Sequence, residues 1–287
     1  MPDLPAFQRD VVQLMAGRQG TLVSVSAETG LLRAVVNPGA ARQPTPPGSL
    51  FKLAIALAAL QPAATAGTTR RCQGVLADVS PGPALRCWLP SGHGQLGLEE
   101  ALALSCNVYF AGLGRELGEP AVRRWGQRVG FLPAKQAVAP RLEAWIGEGA
   151  QWSATPWTLA AFAAALSRED GRRFEPSWHQ PVASLSPLGL GARTRERLLA
   201  GMRLASTRGS ARAAGRAGLL VYGKSGTATY LDGSNRTWGW FVGFGRVAGG
   251  RAPTLALAVR LGDASGFGDA APLAGQVFAR WAARGTP

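Results

Sequence analysis

Pro47-Gly48-Ser49-Leu50-Phe51-Lys52 runs directly into the apolar stretch Leu53–Leu60. The Pro-Gly pair closes a loop, and the Ala- and Leu-rich stretch that follows favours a buried helix over a strand. Ser49 therefore stands at a helix start, where free backbone N–H groups and the helix dipole favour developing negative charge. Upstream, Thr21–Ser26 and Leu31–Val36 are β-like runs around Ala27-Glu28-Thr29-Gly30, the pattern of a hairpin. Residues 37–48 are Pro- and Gly-rich and read as loop. Downstream, residues 67–97 read as an irregular Gly/Pro-rich loop, and helices are expected at Leu98–Leu104, Tyr109–Leu117, Val122–Val129, Trp157–Leu166 and Thr194–Leu204. The last third changes character. Leu219–Val221 leads into Lys224-Ser225-Gly226-Thr227, Thr237–Gly243 and Pro253–Leu261 are strand-like, Asp232–Asn235 is a turn, and Asp269–Ala283 is a closing helix. The order predicts an α/β (α+β) fold in which strands from both chain ends form one antiparallel sheet flanked by helices, with a helical block inserted between them. We expect a single domain over 1–287, with sheet parts at about 18–48 and 215–287 and a mainly helical part at about 49–214.

At 287 residues, 46% hydrophobic and 17% charged, the chain can bury a large core, which excludes a disordered protein. Its net charge is +14, mostly from Arg scattered as at Arg141, Arg168, Arg172 and Arg173, with no run that reads as a nucleic-acid arm. Such a charge draws polyanions, whether nucleic acid, anionic lipid or acidic wall polymer, and does not choose among them. A solvated Arg-rich surface is the plainer reading, and no nucleic-acid partner is expected. The most apolar stretch, Leu53–Leu60, is about half a membrane span, and Asp3, Arg9 and Asp10 rule out a signal peptide in the first twenty residues. Cys72 and Cys87 bracket a loop, while no C-x-x-C or His-containing cluster suggests a metal. His93, between two glycines, reads as a loop residue, His179 as surface, and Cys106 as a small packing residue.

Three short elements can carry chemistry. Ser49 and Lys52, three apart on a helix, share a face, so the amine can take the serine proton once burial or a nearby positive charge such as Lys224 lowers its pKa. Ser105-Cys106-Asn107 breaks two helices; its hydroxyl can relay a proton and its amide can hold a peptide carbonyl, although both residue types also simply cap helices. Lys224-Ser225-Gly226-Thr227 puts a cation and two hydroxyls on a strand whose glycine admits a close backbone, suited to an extended peptide with a carboxylate. Alone, each pattern recurs by chance.

In their order and spacing the three elements resemble the transpeptidase domain of penicillin-binding proteins, within the serine-active penicillin-recognising superfamily. The likeness covers roughly residues 18–282 and includes Gly92-His93-Gly94, Ala101–Phe110, Thr155-Pro156 and Trp240–Phe244. It implies a β-lactamase/transpeptidase-like fold with a sheet of about five strands. It also implies Ser49 as the acylated nucleophile, Lys52 as its base, Ser105 as proton relay and Asn107 as substrate-binding. Lys224, Ser225 and Thr227, with Gly226 between, would hold the terminal carboxylate, and the N–H groups of Ser49 and Thr227 would form the oxyanion hole. The implied substrates are the D-Ala-D-Ala stem peptides of peptidoglycan, and the inhibitors are β-lactams. No cofactor is implied. A glycosyltransferase or other cell-wall machinery is the implied partner, and the cell envelope outside the cytoplasm the implied location, with the export signal or anchor lying outside this chain. In that compartment Cys72 and Cys87 are expected to form a disulfide.

Two departures stand out. Ser225 replaces the usual Thr of the third motif, and Gly147-Glu148-Gly149 stands where Gly-Gln-Gly is frequent. A serine β-lactamase and a sensor that stays acylated share the motifs. Neither Glu143 nor Glu148 is followed by the Leu-Asn of one β-lactamase class, and Asn107 replaces the valine of another. A long-lived acyl-enzyme is therefore expected.

Overall fold

The computed structural model describes residues 4–62, 64, 69–76, 84–134, 141–185, 187–249 and 254–285. Five strands form the central sheet: β1 (Gly20–Ser26), β2 (Leu32–Val36), β3 (Leu219–Thr229), β4 (Thr237–Val247) and β5 (Leu255–Gly262). The spatial order is β3-β4-β5-β1-β2, with every neighbouring pair antiparallel. The α/β class, the antiparallel sheet and the origin of its strands at both chain ends are as the sequence predicts. Strand alternation divides the core. Leu255, Leu257, Val259 and Leu261 of β5 face one buried cluster, and Ala256 and Ala258 face the other.

The alanines make room for a helix. Among the helices α1 (Leu4–Leu14), α2 (Lys52–Ala59), α3 (Leu98–Leu104), α4 (Asn107–Leu117), α5 (Glu119–Val129), α6 (Pro156–Ser167), α7 (Ala192–Arg208) and α8 (Ala271–Gly285), it is α6 that lies on β1, β4 and β5. Its sequence PWTLAAFAAALS is apolar on all sides and almost wholly buried, as a helix enclosed by a core must be. Thr155 caps it by accepting from Thr158 N at 3.1 Å, and Pro156 follows the cap.

The opposite face carries α1 and α8. Reading the first twenty residues for targeting signals alone overlooks α1, although Phe7, Val11 and Met15 recur at helical spacing and are buried. Phe7 meets Trp281 of α8 edge to face at 5.1 Å. Gln8 covers the edge of β2, donating to Val35 O and accepting from Val35 N, both at 2.9 Å.

Within 67–97 the described residues form two small ribbons, Arg70–Cys72 with Gly94–Leu96 and Val75–Leu76 with Leu85–Arg86. Residues 67, 68 and 77–83 of that expected loop, and Pro253 of the expected last strand, lie outside the described residues. Among the described residues no helix is long and apolar enough to cross a membrane.

Candidate active site

Ser49 sits in a 3-10 turn, Gly48–Phe51, that runs straight into α2. The helix start expected at Ser49 is thus this tighter turn, and the regular helix begins at Lys52. Phe51 anchors the turn by stacking on Trp152 at 4.5 Å, and Trp240 Nε1 ties the preceding loop by donating to Pro46 O at 2.9 Å. Gly48 has φ +52°, and a Cβ there would overlap the Thr227 carbonyl of β3. This contact brings the first and third motifs together. Gly226 serves the same approach: a Cβ would lie 3.0 Å from Pro47 O and 3.1 Å from Leu50 N. Gly226 thus lets the protein's own turn approach β3 closely, and it also lines the cavity described below.

Lys52 is fully buried. Its Nζ donates to Ser105 O at 2.7 Å and Asn107 Oδ1 at 2.6 Å, and lies 2.9 Å from Ser49 Oγ and 3.2 Å from Ser105 Oγ. An ammonium has three donors and no acceptor; a neutral amine has two N–H groups, which the two carbonyl oxygens occupy, and a lone pair left for the Ser49 hydroxyl. Burial lowers the Lys52 pKa to about 7, against the opposing charges of Cys106, Cys87 and Glu148. The sequence allows two causes, burial among apolar neighbours or the charge of Lys224. In the structure burial does this work, and the influence runs the other way: Lys224 lies well below its ordinary value through burial first and the charge of Lys52 second.

Ser105 links the two amines. Its Oγ accepts from Lys224 Nζ at 2.9 Å, and Lys224 Nζ also donates to Ser225 O at 2.6 Å. Ser105 holds φ +56° between α3 and α4, a strained conformation for a serine that aims both its carbonyl and its hydroxyl at Lys52. Asn107 opens α4 and also donates through Nδ2 to Arg86 O at 3.3 Å.

These groups border a cavity of about 570 Å3 lined by Ser49, Ser105, Asn107, Ser225, Gly226 and Thr227 among others. Strand β3 is the free edge of the sheet. Thr229 N–H points away from β4, donating to Glu148 Oε2 at 3.0 Å, so alternation aims Thr227 N–H at the same open edge, toward the cavity. Thr227 Oγ1 accepts from Gly266 N at 3.0 Å. Lys224 is fully buried behind the wall, and the Ser225 hydroxyl donates to Ser210 O at 2.7 Å. Sequence reasoning missed two cations on this wall, Arg208 and Arg212. Only the overall basic charge hinted at them, because α7 and the turn after it meet β3 through the fold alone. Glu148, set aside in the sequence, also lines the cavity, and burial pushes its carboxyl up.

A family model for the penicillin binding protein transpeptidase domain matches residues 14–279. The chain belongs to the penicillin-binding protein transpeptidase family. The transpeptidase domain is 28% identical over 232 residues to stage V sporulation protein D of Bacillus subtilis, a match that covers 69% of this chain and 36% of that protein. The chain thus spans about a third of that curated relative. Among solved structures, PBP2 of Pseudomonas aeruginosa superposes with a TM-score of 0.79 at 26% identity, covering 96% of this chain and 74% of that one. PBP2 of Helicobacter pylori, solved in complex with MreC, superposes at 0.78 and 19% identity, covering 97% and 62%. The family is one of serine acyl transfer at the extracytoplasmic cell wall.

One part of this transpeptidase domain departs from the sequence expectation. The Cys72–Cys87 disulfide is not formed; all three cysteines are free and buried. Their sulfurs converge with the His93 ring, so that one donor atom from each of Cys72, Cys87, His93 and Cys106 lies within 4.8 Å of all the others. The absence of a metal expected from spacing does not account for this, because the four donors come from separate short segments and meet only in three dimensions.

Proposed function

We propose that the domain is an acyl-serine D,D-transpeptidase or D,D-carboxypeptidase that acts on the D-Ala-D-Ala stems of peptidoglycan and is acylated by penicillins. The observation that carries this is the position of Lys52 Nζ, fixed by Ser105 O and Asn107 Oδ1 with Ser49 Oγ 2.9 Å away. In the proposed reaction the Ser49 proton passes to neutral Lys52 while Ser49 Oγ bonds to the penultimate D-Ala carbonyl carbon. The N–H groups of Ser49 and Thr227 receive the oxyanion. Collapse breaks the C–N bond, and the leaving amine of the terminal D-Ala takes its proton through Ser105, which both lysines contact. An acceptor amine or water then attacks the ester and Ser49 recovers its proton. Asn107 holds the stem amide. For the terminal carboxylate, Thr227 faces the cavity, Ser225 shapes its wall, and Lys224 acts from behind through Ser105. The peptidoglycan strand and, by analogy with the MreC-bound relative, other cell-wall machinery are the proposed partners, in the envelope outside the cytoplasm. Intact-mass analysis after penicillin treatment, with release of D-Ala from a stem peptide as the second readout, tests the assignment. A chain that gains no mass sinks it.

Acylation should follow the Lys52 amine. Its neutral form is the base, so the acylation rate constant should rise about tenfold per pH unit below its pKa of about 7 and level off above it. A stopped-flow profile that is flat through that region would assign the proton to another group.

Glu148 favours a second reading, a serine β-lactamase, since a carboxylate on the cavity wall can activate water. Its Oε2 is engaged by Thr229 N, and the expected outcome is an acyl-enzyme that persists for many minutes after excess drug is removed. Loss within seconds with steady drug turnover, abolished in Glu148→Gln, would establish the β-lactamase instead.

A further inference from the structure

We propose that Arg208 and Arg212 form the anion-binding wall of the cavity and hold the terminal carboxylate of the stem peptide and of a β-lactam, a role that rests on the acyl-transfer reading above. The cations that meet the ligand are then two arginines outside the three motifs, while Lys224 serves Ser105.

The third motif does not present a charge to the cavity. Lys224 is fully buried, and its Nζ donates to Ser105 Oγ at 2.9 Å and to Ser225 O at 2.6 Å. The Ser225 hydroxyl gives its proton to Ser210 O at 2.7 Å. Thr227 Oγ1 accepts from Gly266 N at 3.0 Å and keeps its own proton for a ligand. A carboxylate that docks at Thr227 thus finds a neutral side-chain donor there, and charge-assisted hydrogen bonds, which are about twice as strong, must come from elsewhere on the wall.

The two arginines stand on a fixed segment. Arg208 ends α7, and Gly209 turns the chain against α3, where an added Cβ would overlap the Ala103 carbonyl. Ser210 N donates to Ala103 O at 2.9 Å, and Ser210 O receives the Ser225 hydroxyl. The residue between the two arginines is therefore bonded both to the helix that leads into the second motif and to the third motif itself. Arg208 and Arg212 line the cavity and are exposed. Arg212 Cζ lies 4.4 Å from the centre of the Phe267 ring, which also lines the cavity, so the ring face holds the guanidinium at the wall.

Other arginines of α7 are already engaged. Arg195 donates to Leu166 O and Ser167 O, Arg197 pairs with Glu99, and Arg203 donates to Val221 O. Among the described residues no carboxylate pairs with Arg208 or Arg212. The acid that does line the cavity, Glu148, is engaged by Thr229 N. A guanidinium is always charged, and its planar fork matches a carboxylate. Two of them on the wall that carries Thr227 select an anionic ligand.

A matched pair of substrates tests this. The benzoyl-D-Ala thioester of thioglycolate and that of thioglycolamide offer Ser49 the same acyl group and differ by one charge. Wild type should prefer the acid in kcat/KM. In Arg208→Gln/Arg212→Gln the acid-to-amide ratio should fall at least about tenfold, the scale of hydrogen bonds to charged groups. Arg208→Lys/Arg212→Lys, which keeps the charge without the fork, should retain part of the preference, and added salt should erode it in wild type. A glutamine variant with the wild-type ratio overturns the assignment, as does an equal loss on both substrates, which a purely structural role would give. Binding of acetyl-D-Ala-D-Ala and of its C-terminal amide to Ser49→Ala, followed by saturation-transfer NMR, needs no acylation. Equal binding of acid and amide overturns the anion site. A preference for the acid that the two glutamines abolish, in a chain whose wild type is never labelled by penicillin, sinks the acyl-transfer reading and leaves the anion site standing.

Discussion

Ser49→Ala should leave the chain with no mass gain after penicillin treatment, and Lys52→Ala should slow acylation by at least about 1,000-fold, the scale on which one member of a nucleophile–base unit matters. The reason is geometric. Ser49 Oγ lies 2.9 Å from Lys52 Nζ, and a serine hydroxyl is a weak nucleophile until a base takes its proton. Lys52→Arg should be nearly as damaging as alanine, because guanidinium stays charged and has no lone pair to offer. The far-UV circular dichroism of Ser49→Ala should match wild type, since the hydroxyl is half-buried at a cavity edge and fills no core. Near-normal acylation in Lys52→Ala would mean that another group, Lys224 included, is the base.

Gly48→Ala should slow acylation about 100- to 1,000-fold with Ser49 and Lys52 both intact. Gly48 has φ +52°, and an added Cβ would overlap the Thr227 carbonyl, so the turn that carries Ser49 and β3 must separate. The N–H groups of Ser49 and Thr227 come from the two sides of that contact. An oxyanion site loses about 100- to 1,000-fold when one donor is lost, and a displacement of about 1 Å can cost about 100-fold in positioning alone. Gly147 sits against the other side of the turn, its O accepting from Gly48 N at 3.0 Å, so relief by backward movement is blocked. Stopped-flow acylation together with a melting curve separates the two effects. A variant that melts as wild type and acylates at full rate would show that the turn adapts and that the contact sets nothing.

How far the sequence reaches depends on whether a feature is local. Helix start signals at Thr155-Pro156, the apolar run after Ser49 and the β-like runs at both chain ends are set by neighbours a few residues apart, and each appears in the structure close to where the pattern puts it. The three motifs are legible for the same reason, since Ser49 and Lys52 must share one face of a turn. Helix α1 is legible too, through Phe7, Val11 and Met15, once its period rather than its charges is read.

What the tertiary structure decides is everything that depends on distance between remote segments. Lys52 lies 53 residues from Ser105 in sequence, yet Ser105 O is 2.7 Å from its amine; of the two causes the sequence allows, burial and the charge of Lys224, burial is the one that lowers its pKa. Arg208, Arg212 and Glu148 reach the cavity wall only because α7 and the Gly147–Gly149 turn pack beside β3. The thiols of Cys72, Cys87 and Cys106 carry no spacing signature, and a chain pattern alone suggests a disulfide. Folding closes the ribbons and α4 around them, so that three sulfurs and an imidazole share one point. Sequence alone thus determines which residue types are present and which local elements they favour, because propensity and periodicity act over a few residues. Side-chain protonation and ligand geometry follow from desolvation and from contacts that only the packed chain supplies.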